Sequence, residues 1–147
     1  MRAILLAVIM VSTLVSGASA FNLPSWGGGA SDKKAAAPQS NKADEYFTEA
    51  RRAYGSASYP KTIEMASKAI QESPKYAEAF ALRGKAYKDT GDIDNAVKDL
   101  NRAIALNPHL GEAYYIRAQA SEINGEMKQA TADYKMACAE GYKDACK

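Results

Sequence analysis

The chain has 147 residues, with 19 Lys and Arg against 17 Asp and Glu, and 24% of its residues are charged. Length alone sets one domain plus a leader. A net charge of +2 without a basic patch excludes a nucleic-acid footprint, and a single histidine with two cysteines leaves too few ligands for a zinc centre.

Residues 1–20 read as a cleavable secretory signal. Arg2 supplies the positive start, Ala3 to Val15 is an apolar run broken by Ser12 and Thr13, and Ala18-Ser19-Ala20 is a small-x-small cleavage site. Cleavage between Ala20 and Phe21 is expected. The alternative, an uncleaved anchor, meets a run shorter than the roughly 20 apolar residues of a membrane span. No cysteine follows the signal for a bacterial lipoprotein anchor, so no stable membrane anchor is expected after signal removal. The chain is expected to be periplasmic or secreted. Its short, alanine-rich signal leans towards a bacterial periplasm without deciding it. Residues 21–42, FNLPSWGGGASDKKAAAPQSNK, form an aperiodic linker rich in Gly, Ser, Ala and Pro. Trp26, beside Phe21 and Leu23, is either a docking peptide or part of a spacer, and new termini favour the spacer.

The organising stretch is 77–110, AEAFALRGKAYKDTGDIDNAVKDLNRAIALNPHL. Phe80, Gly84, Ala86 and Tyr87 recur at helical spacing, and Gly91 stands where a helix ends on a left-handed residue. Asp92 is a candidate N-cap for a second helix whose Ala96, Leu100, Ala103 and Ile104 form one apolar stripe. Asn107 and Pro108 stop it. Gly84 and Ala96 sit where two antiparallel helices would cross closely, and a larger side chain there would push them apart.

The same pattern precedes and follows. In 43–76, Tyr46, Ala50 and Ala53 mark a first helix, Tyr59, Ile63, Ala66, Ala69 and Ile70 a second, and Pro74 closes it. Ala50 and Thr62 replace the small pair at the crossing, which predicts a slightly looser core, and Pro60 fits a first helical turn. In 111–140, Tyr114, Ala118, Ser121, Gly125, Ala130, Tyr134 and Ala137 hold the corresponding places. The pattern then departs at Glu140-Gly141-Tyr142.

These spaced positions resemble the tetratricopeptide repeat family. Phe80, Gly84, Tyr87, Ala96, Leu100, Ala103 and Pro108 fall at its signature places, with Arg83 where a leucine is commonest and Leu100 where an aromatic is common. The resemblance implies an all-α fold, a right-handed superhelix of three helix-turn-helix repeats (43–76, 77–110 and 111–140). Arrays of this kind usually add a polar capping helix, and this chain stops about one turn later. Cys138 and Cys146 have a spacing similar to the bridge of cysteine-rich, tetratricopeptide-like secreted repeats. In an exported chain they are expected to form a disulfide that ties the tail 141–147 over the open face. Such a bridge would stabilise by about 2.5 kcal/mol. The alternatives are a redox pair, which usually has tighter spacing, and metal ligands, for which His109 is too distant.

The resemblance also implies a concave groove lined by the first helices. Phe47, Arg51, Leu82, Lys85, Lys88, Tyr115, Ile116 and Gln119 are the candidate partner-binding residues, with Tyr54, Ala81 and Glu122 facing the same way. The family's carboxylate clamp is absent, because only Arg51 is basic among Phe47, Arg51, Leu82, Glu112 and Ile116. The expected function is a non-enzymatic module that binds another protein or a peptide with apolar anchors and an acidic residue. No catalytic residue, cofactor or metal is expected. One alternative is a hydrolase of the cysteine-rich repeat type, acting weakly on β-lactams through Ser58 and Lys61, which form Ser-x-x-Lys. The other is weak self-association through the uncapped end.

Overall fold

A computed structural model describes residues 42–146. The expected signal, its cleavage point and the linker lie outside them, except Lys42, which opens the first helix instead of ending the linker. The described residues form α1 (Lys42–Gly55), α2 (Tyr59–Glu72), α3 (Ala77–Asp89), α4 (Ile93–Leu106), α5 (Gly111–Ile123) and α6 (Met127–Ala139), then a 3₁₀ turn at Lys143–Ala145. Each odd helix packs most closely on the even helix after it. Each even helix packs on the next odd one, and the odd helices touch in sequence, α1 with α3 and α3 with α5. This is the all-α helical-repeat superhelix that the sequence predicts.

The crossing of α3 and α4 shows why the small residues recur. A Cβ added to Gly84 would lie 3.0 Å from Leu100 Cγ and 3.1 Å from the Ala96 carbonyl oxygen. At the equivalent crossing of α1 and α2, Ala50 is accommodated because Ala66 stands in the place of Leu100, and both are fully buried. Thr62 is also fully buried, and its hydroxyl donates to the Ser58 carbonyl at 3.0 Å, so the polar substitution there leaves no orphaned group. The centre of the core joins Ala81, Ala96, Leu100, Ala103, Ala113 and Ile116.

The turns repeat as faithfully as the helices. Gly91 (φ 85°) donates to Lys88 and Asp92 to Tyr87, and Gly125 (φ 76°) and Glu126 bond Glu122 and Ser121 in the same way. Asp92 caps α4 as its sequence predicts, accepting from the Asn95 amide at 3.2 Å. The first repeat makes the same turn with Ala57 at φ 55°. An L-residue with a Cβ in this region is disfavoured by about 1–2 kcal/mol, part of which glycine's greater unfolded freedom offsets. Ala57→Gly is therefore expected to stabilise the chain by roughly 0.5–1 kcal/mol, seen as a higher urea midpoint at unchanged slope.

The two ends differ from the middle. Ala79, Ala86, Ala113 and Ala120 are buried where α3 and α5 meet the preceding helix. The corresponding residues of α1 are Glu45 and Arg52, both exposed, so the first helix presents a polar outer face. At the other end, α6 stops on Glu140, and Gly141 (φ 83°) turns the chain back. The Gly141 and Tyr142 amides bond the Cys138 and Ala137 carbonyls, and a disulfide joins Cys138 to Cys146.

Candidate functional site

The odd helices present a common face, and a cavity of about 450 Å³ opens on it between α1 and α3. Phe47, Arg51 and Tyr54 come from α1, and Glu78, Ala81, Leu82 and Lys85 from α3, while Leu110 and Glu112 close the far side. The helical period brings these residues to one face: Phe47, Arg51 and Tyr54 are spaced by four and three, as are Glu78, Leu82 and Lys85. The cavity exists because the middle row has a small residue. Phe47 in α1 and Tyr115 in α5 stand in register with Ala81 in α3. The Phe47 ring packs on Tyr76 at 4.9 Å and the Tyr115 ring on Tyr142 at 4.7 Å. Between these aromatic pairs, Ala81 leaves a hollow.

The charges around the hollow are unequally satisfied. Lys85 Nζ lies 3.1 Å from Glu112 Oε1 and 4.9 Å from the centre of the Tyr54 ring. The Tyr54 hydroxyl donates to Asp89. Burial, then that hydrogen bond, pushes the Tyr54 phenol well above its ordinary range, so it remains a donor. Tyr76, whose hydroxyl donates to Asp44 at 2.8 Å, is pushed up to about 12 by burial and by that carboxylate. Arg51 is exposed and makes no hydrogen bond or ion pair among the described residues.

Four of the sequence-predicted groove residues, Phe47, Arg51, Leu82 and Lys85, therefore line one cavity. Lys88 does not: its ammonium bonds Gln119 Oε1 at 2.9 Å and Asp89 at 3.0 Å, tying α3 to α5 beyond the hollow. Tyr115 is half-buried between Tyr142 and Tyr134. Ile116 must be removed from the site. It is 1% exposed and belongs to the core around Leu100. Its counterpart Leu82 stays half-buried because α2 offers Ala66 where α4 offers Leu100.

The Ser58/Lys61 pair is not assembled. Ser58 precedes α2 without a side-chain capping bond, and Lys61 Nζ is held by Glu49 Oε1 at 2.6 Å. That contact, with its hydrogen bond the largest effect, keeps the Glu49 carboxyl below its ordinary value. An ammonium paired in this way has no lone pair to serve as a base. His109 is exposed, with Nδ1 2.9 Å from Glu140 Oε2.

Residues 77–110 match the profile of the tetratricopeptide repeat family. That stretch is a tetratricopeptide repeat. Among solved structures, the first tetratricopeptide domain of Spaghetti (RPAP3), bound to the HSP90 peptide SRMEEVD, superposes with a TM-score of 0.67 at 24% identity. The alignment covers 69% of this chain and 81% of that one. The Arabidopsis OM64 tetratricopeptide domain gives 0.67 at 20% identity, covering 69% and 84%. The TPR2B domain of yeast Sti1, in its pHsp70 complex, gives 0.66 at 22%, covering 69% and 82%. At such identities the likeness is one of fold. A comparison with curated protein sequences gave no match.

Within this repeat fold, one device was missed by the sequence reading. Arg83 donates through Nε and Nη2 to both oxygens of Asp99 at 2.7 and 2.8 Å, and through Nη1 to Ser67 Oγ at 2.9 Å. One repeat later, Arg117 does the same to Asp133 at 2.8 and 2.7 Å, and to Asn101 at 2.6 Å. Each arginine thus clips three helices together. Both guanidinium pKa values are raised, chiefly by the carboxylate hydrogen bond. The signal was available: an arginine with an aspartate sixteen residues later and a small polar residue sixteen earlier, recurring in consecutive repeats. Leu110 and Tyr142 were also missed, because each stands just before a helix and outside the spacings that define an inward face, and Glu78 was missed although it shares the helical period of Leu82 and Lys85.

Proposed function

We propose that the chain is an exported, non-enzymatic adaptor that binds a segment of another protein in the groove of its odd helices. The observation that supports this reading is the 450 Å³ hollow over Ala81, walled by Phe47, floored by Leu82 and Leu110, and edged by the unmatched Arg51. A cavity of that size receives apolar side chains, and Arg51, which forms no ion pair among the described residues, supplies a cation on its edge. The preferred ligand is an extended peptide with an apolar anchor and a carboxylate near it. Export rests on the character of residues 1–20 and agrees with an oxidised cysteine pair.

The test is selection of displayed heptapeptides on the chain beginning at Phe21, followed by affinity measurement with the selected peptide. An aliphatic residue accompanied by Asp or Glu is expected. Arg51→Glu should weaken binding at least tenfold, about 1.4 kcal/mol, whereas Lys98→Glu on the outer face should not change it. Failure to select any peptide, or equal binding by the Arg51 variant, would reject the groove.

A second reading has its own observation. Thr131, Tyr134, Lys135 and Cys138 of α6, with Ala145 and Cys146 of the tail, line an open depression of about 500 Å³. Met127, one turn before Thr131 at the start of α6, is 58% exposed, and Ile123 at the end of α5 is 62% exposed. Self-association there would raise the molar mass in solution. An unchanged monomer at high concentration rejects it.

A further inference from the structure

We propose that the disulfide-tethered tail is the third wall of the peptide groove, and that Tyr142 is a specificity-determining residue that contacts the bound segment. This rests on the groove reading above and goes beyond it by giving the tail a share in recognition.

The argument is one of register. In the first repeat, Phe47 of α1 packs on Tyr76, the residue immediately before α3. In the second, Ala81 lies in the cluster against which Leu110 packs, and Leu110 is the residue immediately before α5. In the third, Tyr115 of α5 packs on Tyr142, the residue immediately before the 3₁₀ turn. Tyr142 therefore occupies the same structural place as Tyr76 and Leu110. It arrives two residues early in the repeat count because the left-handed Gly141 shortens the connection. The three pairs form successive rungs along one groove, and the tail completes the last.

Local geometry supports the placement. A Cβ on Gly111, the first residue of α5, would lie 3.2 Å from Tyr142 Cβ, so the tail is seated directly on the start of the helix that carries Glu112 and Tyr115. The phenol of Tyr142 is raised first by burial and then by Glu112, and is lowered by Lys85. The ring is thus within electrostatic reach of the ion pair that closes the cavity. Its hydroxyl makes no hydrogen bond among the described residues, which leaves the ring face and edge as its means of recognition.

Charge then orients the occupant. The unmatched cation, Arg51, stands at the α1 end of the groove, while at the α5 end Lys85 and Glu112 neutralise one another. An extended peptide places its carboxylate at Arg51 and its first apolar side chain over Ala81. A second apolar side chain further along meets the Tyr115–Tyr142 wall. Aromatic faces suit aliphatic, proline or aromatic groups alike.

The test uses the disulfide-intact chain, the heptapeptide selected above, and an analogue with alanine at the apolar position farthest from the acidic residue. Tyr142→Ala should weaken the parent peptide roughly tenfold and leave the analogue unchanged, so that the two losses are not additive. Tyr142→Phe should bind as wild type. Reduction with dithiothreitol, in which its two thiols become a cyclic disulfide while Cys138 and Cys146 each gain an electron and a proton, should reproduce the Tyr142→Ala value. Equal affinity of Tyr142→Ala and wild type overturns the proposal even if Arg51→Glu still fails to bind. If no peptide is selected, the groove reading fails, and the ring resonances of Tyr115 judge the tail: unchanged shifts on reduction overturn its role as a wall. Unfolding curves of each variant separate lost recognition from lost folding.

Discussion

Asp133→Ala is expected to destabilise the fold by about 3 kcal/mol, the low end of the cost of removing one partner of a buried ion pair. The Asp133 side chain is 3% exposed and that of Arg117 17%. The aspartate accepts two guanidinium hydrogen bonds and a third from Gln129 Nε2 at 3.1 Å. Truncation would leave a largely desolvated guanidinium with Asn101 as its remaining hydrogen-bond acceptor and the Tyr114 ring 5.6 Å away, and a water-filled gap cannot replace a carboxylate's charge. The low end applies because Arg117 keeps some contact with solvent. Replacing both partners together, Arg117→Leu with Asp133→Leu, should cost much less, since the desolvation penalty disappears with the interaction. Denaturant unfolding of the single and double variants measures this directly. A loss below about 1 kcal/mol for Asp133→Ala, or a double variant as unstable as the single, would show that the clip is a surface ornament of the seam. The same change at Asp99 should cost less, as Arg83 and Asp99 are more exposed at 20% and 10%.

Such clips explain where the sequence was legible and where it was not. The hairpin register could be read because close helix crossings tolerate few side chains. Gly84 is confined by Leu100 and by the backbone of Ala96, and this steric demand appears as a small residue at fixed spacing. Breaks at Pro74 and Pro108 and left-handed glycines at 91 and 125 are equally local, so the turns followed. Arg83 shows in the sequence only as a departure from the commoner leucine, because its partners are distant in sequence and chemically ordinary. Its meaning lies in the triplet with Ser67 and Asp99, which no single helix pattern contains.

The groove shows the same division. Phe47, Arg51, Leu82 and Lys85 follow from the helical period and the packing order of the odd helices, and they meet at one hollow. Ile116 shares the register of Leu82 yet is buried, because the facing residue on the neighbouring even helix is Leu100 and not Ala66. Position along a superhelix fixes direction, whereas depth depends on the partner's volume. Tyr142 escaped altogether because it belongs to the segment where the repeat breaks off. Its place is set by Gly141 and by a covalent bond, neither of which obeys the repeat.

Loss of that bond is the second large effect expected. Cys138→Ser combined with Cys146→Ser should lower stability by about 2–2.5 kcal/mol, and two routes lead to this figure. In the chain-entropy model, freeing a loop with a sequence separation of 8 costs about 2.5 kcal/mol through the unfolded state. The alternative is that the tail, whose 3₁₀ turn buries no residue, detaches locally while the helices stay folded. The loss is then what the tail contributes, mainly the half-buried Tyr142 ring on Tyr115, which is worth roughly 2 kcal/mol as apolar burial plus an aromatic pair. The magnitudes coincide, so unfolding curves alone would not separate the routes, but hydrogen exchange would. Local detachment predicts that the Gly141 and Tyr142 amides, bonded to Cys138 and Ala137, lose protection while the amides of α3 and α4 keep theirs relative to the variant's own global stability. Uniform loss through the chain would favour the unfolded-state route. A change below about 0.5 kcal/mol with full protection at Tyr142 would mean that the turn at Gly141 holds the tail unaided, and that the bridge is dispensable to the groove wall it closes.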